Sequence, residues 1–174
     1  MKLFKPKFWN KQTTLIGILL IPISIFLQIL VLLKRKITKR IKVSIPIICV
    51  GNIYIGGTGK TPLSLEIVSI LKELNKKVAI VKKDYQNQQD EFKLIESKEV
   101  RLFKNVSRIT SINNAISNGF ETVVLDDGFQ DFSVERSLDI VCFNEKQLIG
   151  NGMTLPSGPL REPFSSLKRC QIIM

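Results

Sequence analysis

The sequence predicts an α/β fold, a parallel sheet flanked by helices, on three observations. Short β-branched runs alternate along the chain with stretches whose apolar residues recur at helical spacing. A glycine-rich segment joins the first such run to the first such helix. A later apolar run ends in two consecutive aspartates. The 174 residues are 44% hydrophobic and 24% charged, too apolar for a disordered chain and long enough for a core without a disulfide or zinc staple.

The elements follow in order. Residues 15–33 (LIGILLIPISIFLQILVLL) carry no charge. As a helix they would extend about 28 Å, against ~30 Å of bilayer hydrocarbon. Lys2, Lys5, Lys7 and Lys11 precede the run; Lys34, Arg35, Lys36, Lys39, Arg40 and Lys42 follow it. Residues 1–43 are therefore predicted to form a membrane-anchoring helix that either spans the bilayer or lies in one leaflet. Its flanks would attract anionic lipid headgroups, and the larger basic cluster places the C-terminal flank inside. Residues 44–174 make the α/β domain. Residues 45–50 read as a buried strand ending at Gly51. Pro62 suits the first turn of a helix, where its missing N–H costs nothing, and Leu63, Ile67, Ile70, Leu71 and Leu74 continue that helix. Residues 78–81 form a second strand, and the polar stretch 84–91 a loop. Residues 100–103 predict a strand. Ile109, Ile112, Ala115 and Ile116 predict a helix stopped by Gly119. Residues 122–125 and 139–143 are further strands, 150–163 a Gly/Pro-rich loop, and 170–174 begin another strand.

Charge is distributed unevenly. The net charge is +11, and residues 1–65 hold eleven basic residues and no acid. Residues 66–174 are balanced, with fifteen of each sign. A nucleic-acid binder would carry a basic stripe through its domain, so no nucleic-acid partner is expected. The chain has no His, which excludes His ligands and His general bases within it. Cys49, Cys142 and Cys170 are far apart and read as small core residues in a reducing compartment.

Chemistry concentrates in two places. Gly56-Gly57-Thr58-Gly59-Lys60-Thr61 follows a predicted strand and opens a predicted helix, the context a phosphate-binding loop requires. Glycines let backbone N–H groups close on phosphate oxygens, the helix N-terminus favours anions, Lys60 reaches the β/γ-phosphates, and the Thr61 hydroxyl can ligate Mg²⁺. The domain is thus read as P-loop NTPase-like, although Tyr54 stands where the usual pattern has its first Gly. Asp126 and Asp127 end a strand that a parallel sheet could bring beside that loop, where one such Asp holds Mg²⁺. Asp90 in the polar loop is a candidate base for an attacking hydroxyl. Glu91 beside it joins Thr61, Asp126 and Asp127 as a candidate metal ligand. Arg161, in GPLREP, can offset charge on a phosphoryl group.

VGNIYIGGTGKTP (50–62), LDDGFQ (125–130) and GNGMTLPSGPLREP (150–163), after an N-terminal apolar helix, resemble the tetraacyldisaccharide 4′-kinases, or lipid A 4′-kinases. KPKFW (5–9) is similar to that family's start. The resemblance implies a membrane-bound bacterial kinase that transfers the ATP γ-phosphate to the 4′-hydroxyl of a tetraacylated glucosamine disaccharide 1-phosphate. Mg²⁺ would assist, and the product would be lipid IVA. The enzyme would sit at the inner membrane with its site on the cytoplasmic face. Lys60 and Thr61 would be the nucleotide and Mg²⁺ residues, Asp126 and Asp127 the acidic pair, Asp90 the base, and Arg161 an electrostatic residue. KDYQN (83–87) departs from the family's Arg-Gly-Tyr-Gly-Arg, and Asp131 stands where the family usually has His. The family's C-terminal part, with a His, is not in this sequence, so the chain is read as roughly the N-terminal half of a longer kinase. Two other readings share the loop and anchor: a membrane-anchored ATPase or GTPase switch, and an inactive truncated remnant. A guanine-reading Asn-Lys-x-Asp is absent.

Overall fold

A computed structural model describes residues 5–12, 14–84, 92, 94, 95, 97, 98 and 100–174. Six strands form one sheet: β1 (Ile47–Gly51), β2 (Val78–Lys83), β3 (Leu102–Asn105), β4 (Thr122–Asp126), β5 (Leu138–Val141) and β6 (Ile172–Ile173). Their order is β3-β2-β4-β1-β5-β6. Every pairing is parallel. Such a sheet is covered on both faces, which is why its central strands read as unbroken apolar runs. Cys49, Ala79, Val81, Val123 and Leu125 pack with Ile112 and Ala115 of helix α4 (Arg108–Ser117). Val50, Val78, Ile80 and Val124 pack with Val68 of helix α3 (Lys60–Glu73). The two sets alternate along each strand, as a period of two requires. Cys49 and Cys142 are free and buried, and burial pushes their thiols up to about 12 and about 11 respectively.

The predicted anchor differs from expectation. Residues 15–33 do not form one helix; α1 (Leu15–Leu19) ends at Leu20, and α2 (Ile21–Ile37) begins beyond it. Pro22 is the cause. It has no N–H to extend the α1 ladder and fits only in the first turn of a new helix. Charges begin in α2 at Lys34, so its uncharged part reaches about 20 Å. No described helix is long and apolar enough to cross a membrane. Much of the pair is nonetheless bare, with Leu15, Leu19, Phe26 and Ile37 exposed.

The polar residues of α2 explain where it docks. Ser24 is buried, and its hydroxyl meets the Ser157 hydroxyl at 2.8 Å and accepts the Ser157 N–H at 3.0 Å. Gln28 donates to the Arg161 carbonyl at 3.3 Å. Trp9 donates its indole N–H to the Pro156 carbonyl at 3.0 Å. The N-terminal helices are thereby fastened to the loop that carries Arg161.

Candidate active site

The phosphate-loop segment lies between β1 and α3, at the carboxyl ends of the strands, where open α/β sheets bind their ligands. Gly56 and Gly59 adopt φ of 134° and 77°, a region that side chains rarely enter. Gly57 and Thr58 complete the turn, and Asn52 steadies it by donating to the Thr58 hydroxyl at 2.9 Å. Helix α3 opens at Lys60, so Lys60 and Thr61 sit in its first turn.

β4 pairs with β1, which brings the acidic pair to the same edge. The two carboxylates diverge there. Asp126 is the last residue of the strand and fully buried. Thr61 donates to its Oδ2 at 2.8 Å, Ser64 to its Oδ1 at 3.4 Å, and Lys82 from β2 to Oδ2 at 2.7 Å. Asp127 leaves the strand with φ of 57°, which turns its side chain toward the opening. Its Oδ1 accepts Arg161 at 2.9 Å and lies 3.7 Å from Lys60. Burial alone would push the Asp127 carboxyl up. The charges of Lys60 and Arg161, with the Arg161 hydrogen bond, outweigh it and hold the group below the usual carboxylate range.

The loop bearing Arg161 is stitched to the phosphate-loop segment by backbone. Ile55 N–H donates to the Pro159 carbonyl at 2.9 Å, and Arg161 N–H to the Ile53 carbonyl at 2.7 Å. Tyr54 and Leu160 form an isolated antiparallel bridge between these bonds. Gln130 adds a further tie, donating to the Asn52 carbonyl at 2.8 Å and accepting from Arg161 at 3.2 Å.

Lys60, Thr61, Asp126, Asp127 and Arg161 are thus brought together as the sequence predicts. Asp90 and Glu91 lie outside the described residues. Three participants escape sequence reasoning. Lys82 lies inside a buried strand, one residue past the predicted run 78–81. Arg108 opens α4, pairs with Asp131 at 2.8 Å and donates to the Asp127 carbonyl at 2.6 Å. Gln130 lies within the quoted LDDGFQ, where nothing marks it as a tie. A cleft of about 500 Å³ is walled by four cations, Arg161, Arg108, Lys83 and Lys34 of α2, against two carboxylates, Asp127 and Asp131. It is cationic and suits an anionic ligand.

Thr61 Oγ and the Asp127 carboxylate offer the hard oxygen atoms that Mg²⁺ takes. Asp126 Oδ2 is differently placed, already facing both an ammonium and a hydroxyl. Among the described residues no three His, Cys, Asp or Glu side chains gather as a metal cluster.

Comparison with known proteins identifies the family. A family model described as tetraacyldisaccharide-1-P 4′-kinase (LpxK) matches residues 16–100 and 90–174. The tetraacyldisaccharide 4′-kinase of Pelagibacter ubique (strain HTCC1062) is 52% identical, over 97% of this chain and 53% of its own length. That of Rickettsia canadensis (strain McKiel) is 30% identical, over 99% and 58%. The fold is similar to that of an "apo" form LpxK from Aquifex aeolicus crystallised in complex with ATP, with a TM-score of 0.76 and 23% identity over 91% of this chain and 58% of that one. The chain spans about half the length of the curated relatives it matches. On the strength of a family match that runs over almost every residue, the chain belongs to the tetraacyldisaccharide-1-P 4′-kinases.

Proposed function

We propose that the full-length protein transfers the γ-phosphoryl group of ATP to the 4′-hydroxyl of a tetraacylated glucosamine disaccharide 1-phosphate, giving lipid IVA. The observation that carries this reading is the convergence of Lys60 and Arg161 on Asp127, between the phosphate loop and a cationic cleft. Residues Gly56, Gly57, Thr58, Gly59, Lys60 and Thr61 hold the phosphates. Lys60 and Arg161 exchange Asp127 for phosphate oxygens and offset the charge that spreads over them in the transition state. The acceptor enters through the cleft, and Asp90 takes the proton of its hydroxyl. Mg²⁺, with Thr61, Asp127, Asp126 and Glu91 as its candidate neighbours, supplies neutralisation of phosphate charge when bound.

Residues 1–43 serve as the anchor and 44–174 as the kinase part. The bare apolar sides of α1 and α2 lie in one leaflet of the bacterial inner membrane, with the basic collar on anionic lipid headgroups. The site then faces the cytoplasm, beside a substrate confined to the same surface, which partly fixes its orientation.

The test is an assay of full-length protein with ATP, Mg²⁺ and the tetraacyldisaccharide 1-phosphate in mixed micelles. Lys60→Ala is expected to abolish detectable lipid IVA formation. Unimpaired turnover by that variant would sink the mechanism.

A further inference from the structure

Lys82 lies near the carboxyl end of β2, inside the sheet, where parallel strands ordinarily carry apolar side chains. Its side chain is 2% exposed, and its partner Asp126 is wholly buried. Its ammonium stands 2.7 Å from Asp126 Oδ2, the same oxygen that accepts the Thr61 hydroxyl at 2.8 Å. In a phosphate-binding loop, the space between that hydroxyl and the strand-end aspartate is where a divalent cation is held. Here a tethered ammonium stands against it. An ion on Oδ2 would sit about 2.1 Å from the oxygen and therefore at most about 5 Å from Nζ. Like charges that close, away from water, repel strongly.

We propose that Lys82 is a resident cation on the metal-facing oxygen of Asp126. Asp126 then acts as the anchor of the Thr61 hydroxyl rather than as a direct ligand of a divalent ion. Lys82 is a positioning residue, because it holds the Asp126 carboxylate in place and through it orients Thr61 without metal. Ser64 holds the other carboxylate oxygen and completes the arrangement. The inference rests on reading this loop as a nucleotide-phosphate site.

The experiment is a Mn²⁺ titration of nucleotide-free full-length protein, followed by electron paramagnetic resonance of the free ion. Lys82→Met is expected to bind Mn²⁺ at least threefold more tightly than wild type, and adding Asp126→Asn to it is expected to remove that gain. Asp126→Asn alone is expected to change the wild-type affinity by less than threefold. A larger loss in Asp126→Asn, or a gain below threefold in folded Lys82→Met, overturns the proposal. Should Lys82→Met not fold, the comparison of wild type with Asp126→Asn decides. The double variant, which removes both charges, supplies a second folded reference. ATP binding measured calorimetrically on the same samples reports on the phosphate site separately. Its absence would overturn the functional reading and leave the Mn²⁺ comparison standing.

Discussion

Asp126 and Asp127 are neighbours in sequence and opposites in surroundings. The first is wholly buried and takes hydrogen bonds from Lys82, Thr61 and Ser64. The second is 17% exposed at the mouth of the cleft and is held by Lys60 and Arg161. The partners differ as well. Lys82 is fixed in a strand, whereas Lys60 and Arg161 reach in from a helix start and a loop. A carboxylate sealed on all sides sets geometry. A carboxylate met by long side chains at a solvent edge can lose those partners to an incoming anion. One Asp-Asp pair therefore combines a structural half and an exchangeable half.

Breaking the sealed half has the largest expected effect. Lys82→Met strands the Asp126 charge in the core, and removal of one partner of a buried pair costs about 3–5 kcal/mol. Thermal unfolding should show it as a fall in Tm. The double variant Lys82→Met/Asp126→Asn should recover most of that loss. On the open side the effect should appear in rate instead. Arg161→Ala is expected to lower kcat by about 10²–10³, the usual cost of losing one preorganised group at a developing charge, with little change in Tm. A Tm loss as large as that of Lys82→Met would erase the distinction between the halves.

A third variant probes the rim of the open side. Burial would push the Asp131 carboxyl up, but the Ser133 donors and Arg108 outweigh it and hold the group below the usual range. A depressed folded value stabilises the protein above the unfolded value of about 3.9 and loses that contribution as the pH falls through the folded one. Asp131→Asn should therefore be less stable at pH 7 by about 1.5 kcal/mol, with the curves converging in strong acid. Denaturant titrations at pH 7 and pH 3 check this. The smallest effect is expected from Ser24→Ala, about 1 kcal/mol. It loosens the seat of α2 on the Arg161 loop and leaves Asp126 untouched. Faster amide exchange confined to residues 153–161 would show it.

Legibility followed the range of the interaction. Strand runs and the phosphate loop are local patterns, so they could be read directly, and the strands fall within about two residues of expectation. The meeting of Thr61 with Asp126 was legible because loop and strand end share one edge of a parallel sheet. Hydropathy alone predicts one helix over residues 15–33, whereas Pro22 and the buried seat of Ser24 decide its shape. Lys82 lies one residue past the predicted strand 78–81, so its place inside the sheet shows only in the longer β2, and its partner is 44 residues away. The same holds for the Ile53–Arg161 stitch, which depends on partners about a hundred residues away.

That stitch also bears on synthesis. β1 waits for β4 and β5 before it gains either neighbour, and the phosphate-loop segment waits for Pro159 and Arg161 before its far wall is in place. Contacts this distant form after the intervening chain is made and its loop-closure entropy is overcome. A nascent chain paused before residue 159 would carry a complete glycine loop with one side missing. The wall that Pro159 and Arg161 supply to the phosphate-loop segment is therefore made after α1 and α2 and more than a hundred residues after Ile53.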